Sequence, residues 1–313
     1  MSFLVVESPG MLTTVQDLGR VGYGPMGVSP SGAADPVALR LGNMLVGNEP
    51  GAAALEMTLV GGTFLFPEGA VIALAGADFG ATVNGHPVEM WAPHALPPGT
   101  RLTIGPTRNY TRCYLAIAGG IQVIAFLGSA STHLLSGLGG HEGRALRKGD
   151  VLELGTPEAK IQRRKILPSV LFALKPRKVL RVTEGPQSDA FSEESRMAFY
   201  RNRYRVSEES DRMGLRLEGP AVMVNNAGEM ITEGVPLGAI QIVSSGQPII
   251  LFVEQQTAGG YPKIANVIGV DLHRIGQLRP RVEIRFERTS LAVARALWIE
   301  QERLLGRPEH LFT

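Results

Sequence analysis

The sequence predicts a mainly β protein with a few helices, organised in two halves. Short apolar runs of four to seven residues recur along the whole chain, each closed by turn residues. Glycine (38) and proline (21) are abundant while aromatic residues make up only 6% of the 313, so turns are frequent and large aromatic anchors few. A basic stretch, Lys160, Arg163, Arg164 and Lys165 followed by Lys175, Arg177 and Lys178, brackets Pro168 and Pro176 and reads as a solvated linker. It places the domain boundary at 165/166, giving halves 1–165 and 166–313.

Taken in order, the strand-like runs are GTFLF, AVIALAG, RLTIG, CYLAIAGG, KVLRVTEG, GAIQIV, PIILFV and VEIRF. No regular alternation with helices separates them, which favours barrels or sandwiches over βαβ units. Three helices interrupt the pattern. Asp35 is the N-cap, and Pro36 the first residue, of PVALRLGNMLV, which ends near Gly47 and Asn48. SEESRMAFYRN starts at Ser192. SLAVARALWIEQERLL puts Leu291, Ala294, Leu297 and Trp298 on one face, which is expected to pack on its own barrel.

Composition excludes several classes. With 31 basic and 29 acidic side chains the net charge is +2, so no general field draws the chain to nucleic acid. The single cysteine, Cys113, excludes an internal disulfide and suits a reducing cytoplasm. The start MSFLVVESPG lacks the basic and apolar segments of a secretory signal, and the most apolar window, YLAIAGGIQVIAFLG, is too short and too interrupted to span a bilayer. A cytoplasmic protein without membrane or nucleic-acid partners is expected.

Familiar signatures do not survive inspection. Gly22-Tyr23-Gly24-Pro25-Met26-Gly27 follows a polar run rather than a buried strand, and Pro25 opposes the helix start a pyrophosphate needs. There is no G-x-x-x-x-G-K-[ST] loop. The six histidines show no ligand spacing, so no metal is expected. Polar residues concentrate instead in blocks. TTVQDLGR carries Asp17, and GVSPSGAAD carries Ser29, Ser31 and Asp35 beside a helix start whose first amides lack partners. GSAST and GGHEGR follow, then SDRMGLRL with Asp211 and Arg212, where Asp211 and Arg216 are the expected ion pair. Thr232-Glu233-Gly234 and Gln241 come next. The densest block is Glu254-Gln255-Gln256-Thr257-Ala258-Gly259-Gly260-Tyr261-Pro262-Lys263, directly after PIILFV. It joins amides, a hydroxyl, a phenol and an ammonium to a Gly-Gly pair that lets a backbone approach a ligand. Its ordinary reading is a tight loop with incidental polar residues.

The motifs TTVQDLGR, GVSPSGAAD, LVGN, LEMTLVGG, AGADF, YLAIAGGI, GGHEGR, GPQSDAF, SDRMGLRL, QPIIL and QTAGGYPKI occur in one order between about residues 8 and 286. Together they resemble the family that includes the C subunit of prokaryotic 5-oxoprolinase, the second part of the urea carboxylase carboxyltransferase region, and KipA. The resemblance implies two cyclophilin-like β-barrel domains and a KipI-like partner, the B-type subunit of 5-oxoprolinase. The chain differs from the family pattern at Glu254 (usually Asp), Ala258 (usually Thr) and Arg281 (usually Gly).

Three functions follow from the resemblance. One is a subunit of an ATP-dependent 5-oxoprolinase opening 5-oxoproline to glutamate. Its further partner is the A-type, lactam-hydrolase subunit, and ATP is bound by the complex at an unassigned place. Another is the carboxyltransferase component of a biotin-dependent urea or amide carboxylase, which requires a biotin carrier. The third is a non-catalytic antagonist of a KipI-like kinase inhibitor. Both enzymes must stabilise charge near a planar amide. Gln256, Thr257, Tyr261, Gln241, Ser29 and Ser31 are therefore expected to bind substrate, with Gly259 and Gly260 allowing close approach. Lys263 or Arg212 would neutralise charge, and Asp17, Asp35 and Asp211 are unranked candidates for a base.

Overall fold

A computed structural model describes residues 2–157, 164–225 and 230–313; Lys160 and Arg163 of the basic stretch lie outside the described residues. The expected mainly β fold is the one adopted, in two compact units. The first comprises Met1–Arg20, Ser31–Leu174 and Leu311–Thr313; the second comprises Val21–Pro30 and Lys175–His310.

In the first unit a seven-stranded and a five-stranded sheet enclose one apolar core, giving a barrel-like body. Ser2–Ser8 alternates, sending Leu4 and Val6 inward. It pairs antiparallel with Thr63–Phe66 and with Val151–Leu154. Arg112–Ile117 lies between Ala54–Thr58 and Ala70–Gly76 in the five-stranded sheet and is buried along its whole length. That explains its unbroken apolar run: Leu115 and Ile117 face the core, while Tyr114 faces the helix Pro36–Leu45. Asp35 Oδ1 caps this helix by accepting from the Ala38 amide at 2.9 Å, as its sequence predicts. The helix presses on the sheet at Gly42, where an added Cβ would stand 3.2 Å from the Ala75 Cβ. Cys113 is in the core, and burial pushes its thiol far up, away from thiolate chemistry.

Among the described residues of the basic stretch, Lys165, Lys175, Arg177 and Lys178 are exposed as expected, and Arg164 alone is drawn in. Arg164 stacks over the Phe312 ring at 3.9 Å and donates to the Met44 carbonyl, and Lys165 pairs with Glu89 at 2.7 Å. The following segment, expected as linker, forms the helix Pro168–Leu174. Pro168 begins it, a position where the missing N–H of proline costs nothing.

The second unit is a closed seven-stranded barrel. Its order is Val179–Glu184, Lys263–Val267, Ala239–Ile242, Pro248–Leu251, Gly214–Glu218, Tyr204–Val206 and Glu283–Arg288. A parallel pairing of Val179–Glu184 with Glu283–Arg288 closes it, leaving these strands no free edge. The helix Glu193–Arg201, capped by Ser192, seats Phe199 against Phe286 with the rings stacked at 4.6 Å. The helix Leu291–Leu305 forms over the expected segment, capped by Ser290, but its contact stripe is narrower. Leu305 is buried and Ala294, Leu297, Gln301 and Leu304 are half-buried, while Leu291 and Trp298 remain exposed, although the Trp298 ring reaches the backbone at Gly269. Arg281 stands at φ +68°, a left-handed conformation that glycine adopts without strain. This gives a backbone reason for the glycine that the family resemblance expects there.

Two buried ionic clusters, invisible in the sequence pattern, stiffen the units. Glu56, paired with Arg112, accepts from the Tyr114 hydroxyl at 2.6 Å and from the Ala34 amide at 2.8 Å. Burial, then the Glu56 charge, pushes the Tyr114 phenol well above its ordinary range. In the barrel, fully buried Asp271 takes two side-chain bonds from Arg181, at 2.7 and 3.0 Å, and one ion pair from Arg274 at 2.9 Å.

Candidate functional site

The loop after Pro248–Leu251 is held at both ends. Glu254 donates its amide to the Arg212 carbonyl at 2.8 Å, and the two side chains form a buried ion pair. Further on, Val235 donates to the Thr257 carbonyl at 3.0 Å, and Ala258–Gly259 pairs with Glu233–Gly234 as a two-stranded ribbon. Gln255 ties the loop down by donating to the Val235 carbonyl at 2.9 Å. The polar block is thus a pinned structure rather than a loose turn.

A bulge places Gln241 beside Lys263. Register between Ala239–Ile242 and Lys263–Val267 shifts between Ile240 and Gln241, so that Gln241 pairs with Lys263. Both side chains are almost fully buried. Gln241 donates Nε2 to the Tyr261 carbonyl at 3.4 Å and accepts from Gln256 Nε2 at 3.5 Å. Gly259 lies between these carboxamides: a Cβ there would come within 2.7 Å of Gln241 Nε2 and 2.8 Å of Gln256 Nε2. Lys263 Nζ bonds Glu233 Oε1, and its backbone amide donates to Gln187 Oε1 at 3.2 Å. Gln187 Nε2 donates in turn to Glu233 Oε1 at 2.6 Å. The Lys263 bond, then that from Gln187, holds the Glu233 carboxyl below its usual range. Gln256 and Tyr261 are exposed and Thr257 is half-buried, so this side of the loop offers an amide, a phenol and a hydroxyl to solvent over a buried amide and ammonium.

Of the residues singled out by sequence, Gln241, Gln256, Thr257, Gly259, Gly260, Tyr261 and Lys263 therefore sit on this one loop and its supporting strands. Arg212 joins them through Glu254, which neutralises it. The aspartates are not on this loop or its supporting strands. Asp17 belongs to the first unit, where its carboxylate accepts from the amides of Gly19 and Ala130, both at 2.7 Å, and from the hydroxyls of Ser129 and Ser131. Asp35 is the helix cap described above. Asp211 accepts from the amides of Met213 and Gly214, at 2.8 and 3.1 Å; these bonds form a turn in place of the expected pair with Arg216. Ser31 belongs to the first unit, at φ +53°, and Ser29 to the second; both are buried.

The GGHEGR block is an ionic clasp. Arg144 grips Asp150 with bonds of 2.7 and 3.0 Å, which draw the Asp150 pKa down to about 2, and Gly140 lets the backbone pass against Thr132. Sequence reasoning passed over Gln187. Its signal lay in GPQSDAF, where Gly185 comes so close to the Lys263 carbonyl that a Cβ would stand 2.1 Å from the oxygen. No group of three or more His, Cys, Asp or Glu able to hold a metal occurs among the described residues, and no helix among them is long and apolar enough to cross a membrane.

Comparison with known proteins agrees with the sequence motifs. The chain is 38% identical over 302 residues to the C subunit of 5-oxoprolinase from Escherichia coli, covering 96% of each chain. It is 36% identical to the corresponding C subunit from Haemophilus influenzae, covering 91% of this chain and 90% of that one. The crystal structure of Kluyveromyces lactis urea carboxylase superposes with a TM-score of 0.91 at 34% identity, over 97% of this chain but 29% of that one. The family described as carboxyltransferase domain, subdomain A and B, matches residues 26–288. A match of that extent, joined to relatives aligned along nearly the whole chain, means that the protein belongs to this carboxyltransferase-domain family.

Proposed function

We propose that the chain is a subunit of an ATP-dependent 5-oxoprolinase, acting with a KipI-like B-type subunit. A lactam hydrolase of the A type completes the complex. The observation that carries this reading is the end-to-end alignment with two 5-oxoprolinase C subunits, which covers nine-tenths or more of both partners in each case. Overall, ATP, water and 5-oxoproline give ADP, phosphate and glutamate. In this reading the lactam oxygen takes the γ-phosphoryl group, which makes the ring carbon open to water. The carboxamides of Gln241 and Gln256 match the donor and acceptor of a planar lactam, and Gly259 leaves room for it. Thr257 and Tyr261 close over the ring, and Lys263 supplies positive charge. This reading assigns the base to none of Asp17, Asp35 and Asp211, each of which accepts from backbone or serine donors in a turn or a helix cap. ATP is held by the assembled complex.

A second reading, carboxyl transfer from a biotin carrier to an amide nitrogen, is favoured by the likeness to urea carboxylase. Avidin separates the two. The assembled subunits are expected to release ADP in response to 5-oxoproline with or without avidin. ADP release that responds to urea and is blocked by avidin would replace the first reading by the second.

A further inference from the structure

Among the described residues, buried Arg112, Arg212 and Arg274 have buried counter-charges, and buried Lys263 does not. Arg212 pairs with Glu254, Arg274 with Asp271 and Arg112 with Glu56, and each of those carboxylates is at most 3% exposed. Lys263 is 2% exposed, yet its partner Glu233 is 44% exposed. The difference is also one of attachment. Glu254, Asp271 and Glu56 are all in buried stretches of backbone, whereas Glu233 sits on an exposed two-residue strand, held by the pairs Glu233–Gly259 and Gly234–Ala258 and by Gln187. An ammonium this deeply buried requires an anion beside it. The anion it has is reachable from solvent; Gln187 donates to it, and Gln241, paired with Lys263 and bonded by Gln256, lies on the neighbouring strand.

We propose that Glu233 occupies the seat of a small-molecule carboxylate on Lys263, as an internal stand-in that the ligand displaces. The ligand's carboxylate takes over the Lys263 Nζ and Gln187 Nε2 bonds, and Glu233 swings out to water, where its charge is solvated. Displacement makes the site selective. A neutral amide cannot satisfy Lys263 and leaves Glu233 in place, whereas a ligand with both a carboxylate and an amide gains the ion pair and the neighbouring carboxamides together. Only the choice of 5-oxoproline as one such ligand rests on the proposed function.

The test is thermal denaturation of the full chain, wild type and Glu233→Ala, titrated with acetate, glutarate, 5-oxoproline and the neutral lactam 2-pyrrolidinone at constant chloride. The variant is expected to melt below wild type and to be restored by the carboxylates in a saturable way. Its apparent affinity for glutarate should be about tenfold tighter than that of wild type, because no internal carboxylate competes. The neutral lactam should restore nothing. Glu233→Gln serves with the same ligands if the alanine variant does not fold. A variant that none of the carboxylates restores, or that binds glutarate no more tightly than wild type, overturns the proposal. Restoration by acetate and glutarate but not by 5-oxoproline keeps the carboxylate seat and counts against the 5-oxoprolinase reading instead.

Discussion

Gly259→Ala is expected to lower 5-oxoproline turnover by the assembled complex about a hundredfold, the scale on which a misplacement of ~1 Å at a site acts. The added Cβ meets the Nε2 atoms of Gln241 and Gln256 at 2.7 and 2.8 Å, well inside contact distance. Both atoms are the ends of flexible side chains, so they yield rather than break the barrel, and the carboxamides turn away from each other. The damage is thereby confined to the site. The melting temperature should stay within a few degrees of wild type, and the variant should still enter the complex. Gly260→Ala is the internal control, because the nearest atoms to its Cβ, the Met230 carbonyl oxygen and Thr232 Oγ1, stand at an ordinary 3.6 Å. Turnover of the Gly259 variant equal to that of the Gly260 variant would remove the two carboxamides from the site.

Asp271→Ala is expected to destabilise the barrel by about 3–5 kcal/mol, the range for removing one partner of a buried ion pair. Asp271 is the only carboxylate in these bonds, and its loss leaves Arg181 and Arg274 side by side, the latter almost fully buried. It also removes the acceptor for the Arg181 backbone amide, bonded at 2.9 Å at the strand that closes the barrel. Urea denaturation, read as a drop in midpoint at unchanged slope, measures the loss. A change below about 1 kcal/mol, typical of surface ion pairs, would mean that the cluster is solvated.

The fold was legible where local chemistry sets it. The unbroken run from Cys113 to Ile117, the cap at Asp35, and the helical segments beginning at Ser192 and Ser290 each announce an element through their own residues. The helix Pro168–Leu174 was missed because Pro168, Pro176 and the flanking basic residues look like linker, while its apolar run VLFAL is too short to display a helical period. The site was legible in part for the same reason. Gln256 to Lys263 are consecutive or nearly so, and their density of polar groups stands out in the chain. Gln187 and Glu233 reach Lys263 across separations of 76 and 30 residues, and only the pairing of Val179–Glu184 with Lys263–Val267 and of Glu233–Gly234 with Ala258–Gly259 brings them there. The aspartates could not be ranked from sequence because an acidic side chain in a Ser- or Gly-rich stretch has the same appearance whether it binds ligand or its own backbone. Asp17 and Asp211 do the latter.

The central claim is that this chain is needed for the ATP-coupled opening of 5-oxoproline. It is tested most directly by measuring glutamate and ADP together from the chain mixed with its lactam-hydrolase and KipI-like partners, each omitted in turn. The account predicts that both products form in step and that both are lost when this chain alone is left out. Undiminished glutamate formation by the two partners without it would contradict the account.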